Sequence, residues 1–247
     1  MSLLPRTLRS WSIAGLFLGL LTAAPLQSGK AASGDVASVK TCAATPVPES
    51  TPSALPATSA VSAKPADHDP DSGAELLGTP APTWTFTRWV RGPRQSVASL
   101  RGKVVLVRWW TEGCHFCEAT LPVLESLEKA HASEGLVVVG VFHPKPPHEV
   151  SDEHILGVAK KLGYSGAIAL DRDWKTLDRY WLAADPDRNW TSVSFLIDRD
   201  GIIRWVHGGG EYHPSTDPRH HRCDVQYADL ERALAAALAE KSASQTP

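Results

Sequence analysis

Two stretches of the chain are apolar almost without interruption. Residues 103–110, KVVLVRWW, and 136–142, LVVVGVF, are β-branched and aromatic, and each is opened by a glycine, Gly102 or Gly135. That composition predicts two buried central strands. After the first, Thr111, Glu112 and Gly113 break the run. Phe116, Leu121, Leu124 and Leu127 then recur at helical spacing, with Glu118, Glu125, Glu128 and Lys129 between them, which predicts an amphipathic helix. The same period covers 149–162, with Asp152 and Glu153 at its start and Gly163 as its stop. A short strand at 167–170 follows, then a short helix at 173–182 with Trp174, Leu177 and Trp181 on one stripe. Strands at 193–198 and 202–206 flank Arg199-Asp200-Gly201, a hairpin turn. An Ala- and Leu-rich helix at 225–240 closes the pattern. Strands alternating with helices and ending in a hairpin plus helix predict an α/β fold, a mixed central sheet with helices on both faces.

The N-terminal third reads differently. Arg6 and Arg9 precede the apolar stretch 11–21, and small polar residues follow. This is the pattern of a secretory signal peptide, short for a transmembrane helix, and it is expected to occupy residues 1–31, either cleaved or kept as a signal anchor. Cys42 lacks the small-residue lipobox of a lipoprotein. Residues 32–75 are rich in Ala, Pro, Ser and Thr, too poor in large apolar side chains to offset the entropy of ordering, and are expected to form a disordered tether. The folded domain is expected at 76–241, with a tail at 242–247. The chain is thus expected to be exported, periplasmic or otherwise extracytoplasmic. Over 247 residues, 25 Lys and Arg stand against 27 Asp and Glu, a formal charge of −2. That balance offers no electrostatic attraction to nucleic acid.

Candidate chemistry centres on Cys114-His115-Phe116-Cys117, at the junction between the first strand and its helix. A thiol at a helix N-terminus faces unpaired backbone N–H groups and the positive end of the helix dipole, which favour thiolate. Thiolate is the species that attacks disulfides, so Cys114 is the candidate nucleophile and Cys117, one turn on, the candidate resolving thiol. A protonated His115 would act in the same sense, and Trp110 beside the turn is placed to shield the disulfide. Two other readings use the same thiols. A metal-binding or metallochaperone module could combine Cys114 and Cys117 with Cys223 and with His213, His220 and His221, although His220-His221-Arg222-Cys223 reads first as a polar surface loop. A thiol peroxidase reading rests on a resemblance to peroxiredoxins, which Thr111, three residues before Cys114, matches and Val107, at the place of their proline, does not. Cys42 and Cys223 make the cysteine count four, which permits a second disulfide.

Five segments together resemble the thioredoxin superfamily over about residues 76–240: GKVVLVRWW, WTxxCxxC at 110–117, TLP at 120–122, GLVVVGV at 135–141 and FLIDRDGIIRWVH at 195–207. Within it, the chain looks like the exported TlpA-like or redoxin branch, nearest to the thioredoxin-like domain of DipZ-type proteins, which share the threonine of TLP and a Gly-rich segment like 207–210. The resemblance implies a thioredoxin-like fold and thiol-disulfide exchange through Cys114 and Cys117. It implies protein thiols and disulfides as partners and no small-molecule cofactor or metal, and it leaves two directions open: a pair kept reduced by a membrane electron donor, or one kept oxidised as a disulfide donor. Three positions depart from the wider family. Ser192 stands where a cis-proline normally packs against the CxxC, and because a non-proline cis bond costs about 2.5–4 kcal/mol, the expectation there is a trans peptide or a cis one held by strong packing. Arg108 replaces the buried aspartate six residues before the first cysteine; a cation there would hold thiolates rather than accept their protons. Thr120 replaces a glutamate of many TlpA-like proteins. Phe116 fills the remaining variable place between the thiols.

Overall fold

The computed structural model describes residues 72–240. The expected signal segment at 1–31, nearly all of the tether at 32–75 and the tail at 242–247 lie outside the described residues. Six strands form one mixed sheet in the order β1-β4-β3-β2-β5-β6. These are β1 (Arg88–Arg91), β2 (Val104–Trp110), β3 (Leu136–Phe142), β4 (Ala167–Leu170), β5 (Ser194–Ile197) and β6 (Ile203–His207). The three central strands β2, β3 and β4 run parallel, while β1, β5 and β6 pair antiparallel. The four principal helices are α1 (His115–His131), α2 (Asp152–Lys161), α3 (Lys175–Tyr180) and α4 (His221–Ala239).

The sheet is central because β2 is buried on both faces along its whole length, as a near-continuous apolar run requires. Alternation along it sorts the core. Val104, Leu106 and Trp110 face Leu121, Leu124 and Leu127 of α1, Ile155 and Ala159 of α2, and Leu230 and Leu234 of α4. Val105, Val107 and Trp109 face the other way, against Leu177 of α3, Tyr180, Trp181 and Phe195. Helices therefore lie on both faces, three on one and the short α3 on the other.

Caps and turns fix the boundaries. Ser151 caps α2, its hydroxyl accepting from the His154 N–H at 3.2 Å, a bond that satisfies an end donor of the helix. In the β5–β6 hairpin, Asp198 accepts the backbone N–H groups of Asp200 and Ile202, and Gly201 takes a φ of 73°, a left-handed value that glycine adopts without strain.

Two elements differ from the expectation. The sequence pattern did not predict β1, whose RWVR run is only half-buried and bears arginines at both ends. These suit an edge: Arg88 binds Asp152 and the Val150 carbonyl, and Arg91 the carbonyls of Gly166 and Tyr164. The final helix begins at His221 rather than 225, so His220-His221-Arg222-Cys223 is helical and not a loop. Asp217 starts this segment by accepting from the Arg219 N–H, with Pro218 at the first position of the short 3-10 turn before α4, the place where proline loses no hydrogen bond.

Candidate active site

The site forms at the carboxyl ends of β2 and β3. At Gly113 the chain turns with a φ of 64°, and Cys114 follows as the extended N-cap of α1. Its sulfur accepts from the Cys117 N–H at 3.2 Å, and its carbonyl accepts from the N–H groups of Cys117 and Glu118. Cys114 and Cys117 are joined as a disulfide, with their Cα atoms 5.2 Å apart. The two sulfurs are not equivalent. Cys114 is half-buried, whereas Cys117 is fully buried in the cluster that holds Trp110, Leu121 and Tyr212.

A groove of about 300 Å³ opens over Cys114, lined also by Phe116, Lys145, Trp190, Ser192 and Gly209-Gly210. Ser192 occupies the expected place. Its hydroxyl lies 3.3 Å from the Cys114 sulfur and 3.5 Å from that of Cys117. The only cis peptide among the described residues is Lys145–Pro146, so the bond before Ser192 is trans. The loop is held without proline's help, since the Val193 carbonyl accepts from the Trp109 N–H at 2.9 Å and Val193 is buried.

The supporting residues take distinct places. Trp110 is fully buried and meets Phe142 edge-on at 4.9 Å between ring centres. Thr120 is buried in the second turn of α1, where its hydroxyl bonds the Phe116 carbonyl at 2.8 Å. His115 is exposed, its ring near that of Phe116.

Arg108 has partners of its own away from the sulfurs. It is wholly buried, donates to the Ser194 hydroxyl at 3.1 Å and to the Gly210 carbonyl at 2.9 Å, and lies over the Tyr212 ring. Burial pushes its pKa below the ordinary arginine value, an effect that Tyr212 and Glu211 oppose. Arg108 therefore ties the Gly210 wall of the groove to the sheet, and any effect on the thiols is through space.

Lys145, Trp190 and the buried His143 were not anticipated as neighbours of the site. Lys145 and His143 follow β3, whose carboxyl end opens beside that of β2, and the loops at that end of parallel strands are where α/β sheets place their sites. The metal-ligand expectation also divides. Cys223, His213 and His220 come together with Glu211, while Cys114 and Cys117 sit in their disulfide and His221 is exposed outside that group. Cys223 is a free thiol, and burial, followed by the charge of Glu211, pushes its pKa up to about 11. Cys42 lies outside the described residues.

The model of the redoxin family matches residues 76–220. The chain is similar to Protein DipZ of Mycobacterium tuberculosis (strain CDC 1551 / Oshkosh), 32% identical over 148 residues, which are 58% of this chain and 20% of that protein. It is also similar to thiol-disulfide oxidoreductase ResA of Bacillus thuringiensis (strain Al Hakam), 24% identical over 127 residues, covering 51% of this chain and 66% of that one. The chain thus spans about a fifth of DipZ. Among solved structures, a candidate protein disulfide isomerase from Bacteroides thetaiotaomicron superposes with a TM-score of 0.52 at 24% identity, over 66% of this chain and 91% of that one. A DsbE-type thiol:disulfide interchange protein from Chlorobium tepidum gives 0.50 at 21%, over 66% and 97%. Both share the thioredoxin-like fold.

Proposed function

Since the chain belongs to the redoxin family, we propose that it is a thiol-disulfide oxidoreductase working outside the cytoplasm, with Cys114 as attacking thiol and Cys117 as resolving thiol. The observation that carries this reading is the inequality of the two sulfurs: Cys114 faces a groove, and Cys117 stands buried behind it. An incoming disulfide can reach only the first.

In the reduced protein the Cys114 thiolate attacks one sulfur of the partner's disulfide. A mixed disulfide forms, and the partner's other sulfur leaves as thiolate and takes a proton. Cys117, deprotonated, then attacks the Cys114 sulfur, which restores the Cys114–Cys117 disulfide and frees the partner as a dithiol. Two electrons pass to the partner, and the reverse sequence oxidises a dithiol. Both electrons move between sulfurs, so the exchange needs no cofactor. The N-cap position and the Ser192 hydroxyl stabilise negative charge on Cys114. Stabilising thiolate stabilises the reduced form, which makes the disulfide more oxidising.

Three glycines, the Trp190 and Phe116 rings and one residue of each charge, Lys145 and Glu112, are among the groove's lining, surfaces that suit an extended protein segment around a cysteine. Protein thiols and disulfides are accordingly the proposed partners. Export rests on the basic and apolar pattern of residues 1–31, and a membrane electron donor is the proposed partner where the pair is kept reduced. Turnover of insulin or glutathione disulfide by the purified chain tests the activity. Cys114→Ser and Cys117→Ser are each expected to reduce it to background, and full activity in either variant would exclude the proposed pair.

A further inference from the structure

Beyond β6 the chain runs through Gly208–Gly210 into Glu211-Tyr212-His213. Tyr212 turns inward and is fully buried, its hydroxyl 3.0 Å from that of Ser194. Its neighbours Glu211 and His213 lie half-buried beside the start of α4. There His220, at the end of the 3-10 turn, and Cys223, in the first turn of α4, stand three residues apart. Two bonds clip the segments together: His213 N–H to the Cys223 carbonyl at 3.4 Å, and Ser215 N–H to the Asp224 carboxylate at 3.0 Å.

Four donor atoms converge as a result, all within 4.8 Å of one another. The Cys223 sulfur is 3.5 Å from Glu211 Oε1 and 3.7 Å from His220 Nδ1. Glu211 Oε1 is 3.5 Å from His220 Nδ1 and 3.9 Å from His213 Nε2. A tetrahedral ion bound through sulfur at about 2.3 Å and through nitrogen and oxygen at about 2.0–2.1 Å holds its donors roughly 3.3–3.6 Å apart. The four separations above run from 3.5 to 3.9 Å and the remaining pairs stay within 4.8 Å, so the donors stand up to about 1 Å wider than a bound ion would hold them.

We propose that Glu211, His213, His220 and Cys223 form a binding site for one divalent transition-metal cation of the zinc type, separate from the Cys114–Cys117 pair. The donor set selects the class. One thiolate, two imidazoles and one carboxylate suit a borderline-soft tetrahedral ion, whereas calcium and magnesium call for oxygen alone. On binding, Cys223 gives up its proton to solvent, and its charge with that of Glu211 balances the dication. Four protein ligands leave no open coordination position, so the ion acts as a clamp. Its effect reaches the groove, because Glu211 directly follows Gly209-Gly210, which line the wall beside Cys114. Metal binding at these four residues does not depend on the exchange proposed for Cys114 and Cys117.

Titration of the chelator-stripped full chain with cobalt(II), followed by displacement with zinc, tests this. One equivalent is expected, with the absorption of tetrahedral cobalt and a thiolate-to-cobalt charge-transfer band. Cys114→Ser/Cys117→Ser should bind unchanged. Cys223→Ser should lose the charge-transfer band, and it and His220→Ala should each bind at least about 100-fold more weakly, with circular dichroism reporting that both remain folded. If either is unfolded, His213→Gln replaces it in the same comparison. Absence of stoichiometric uptake by the unaltered chain would overturn the proposal. So would undiminished uptake by the folded donor variants, or loss of uptake in the Cys114→Ser/Cys117→Ser chain.

Discussion

Ser192 is the residue through which this site differs most from a proline-built one. With its hydroxyl within 3.5 Å of both sulfurs, it can donate to whichever carries the charge, which proline cannot. A hydrogen bond to a charged group contributes about 1.5–3 kcal/mol when buried, and less for the half-exposed Cys114. Ser192→Ala is therefore expected to raise the Cys114 pKa and to slow alkylation of the reduced protein several-fold at neutral pH. The pH profile of iodoacetamide labelling checks it, and an unchanged profile would remove Ser192 from the mechanism. Cys114, Cys117 and Ser192 were legible in the sequence, because the CxxC lies at a strand-to-helix junction and Ser192 is reached by counting back from Phe195. Glu211 was not. It precedes an inward-facing tyrosine in a loop that no period governs, and only the fold brings it to His220 and Cys223.

The elements show the same division between pattern and context. β2, β3 and α1 were legible because buried strands are written as unbroken apolar runs and an amphipathic helix as a stripe. β1 escaped because a four-residue edge strand flanked by arginines owes its existence to pairing with β4. The first turn of α4 escaped because it is polar and is set by Asp217 and Pro218. At the end of β3, His143 has a cost that no period reveals. It continues the ladder by donating its N–H to the Trp110 carbonyl, yet among the described residues neither ring nitrogen has a hydrogen-bond partner, and the ring packs against Trp174. Burial, chiefly, pushes its pKa down to about 3, with Lys145 and Arg108 acting in the same direction and the Trp110 backbone opposing. The unfolded chain takes up this proton below about pH 6.5 and the folded chain does not. Its effect on stability is thus nil above pH 6.5 and unfavourable as pH falls towards 3, by up to about 1.4 kcal/mol per pH unit. Urea unfolding from pH 7 to pH 4 should show His143→Leu losing less stability than the unaltered chain, and a difference independent of pH would refute the shift.

At the scale of the whole molecule, the α/β architecture with a central mixed sheet followed from the sequence because each element agreed with its neighbours. Among the described residues no helix is long and apolar enough to cross a membrane. What the fold adds is the asymmetry between an accessible sulfur and a buried one, on which the proposed exchange depends. The most direct measurement is the intact mass of reduced Cys117→Ser after mixing with oxidised glutathione, with peptide mapping of any adduct. One glutathione on Cys114, stable until dithiothreitol is added, is the expected result, and no adduct is expected at this motif in Cys114→Ser. Failure of Cys114 to form the mixed disulfide, or faster labelling of Cys117 in the Cys114→Ser chain, would contradict the assignment of the attacking thiol.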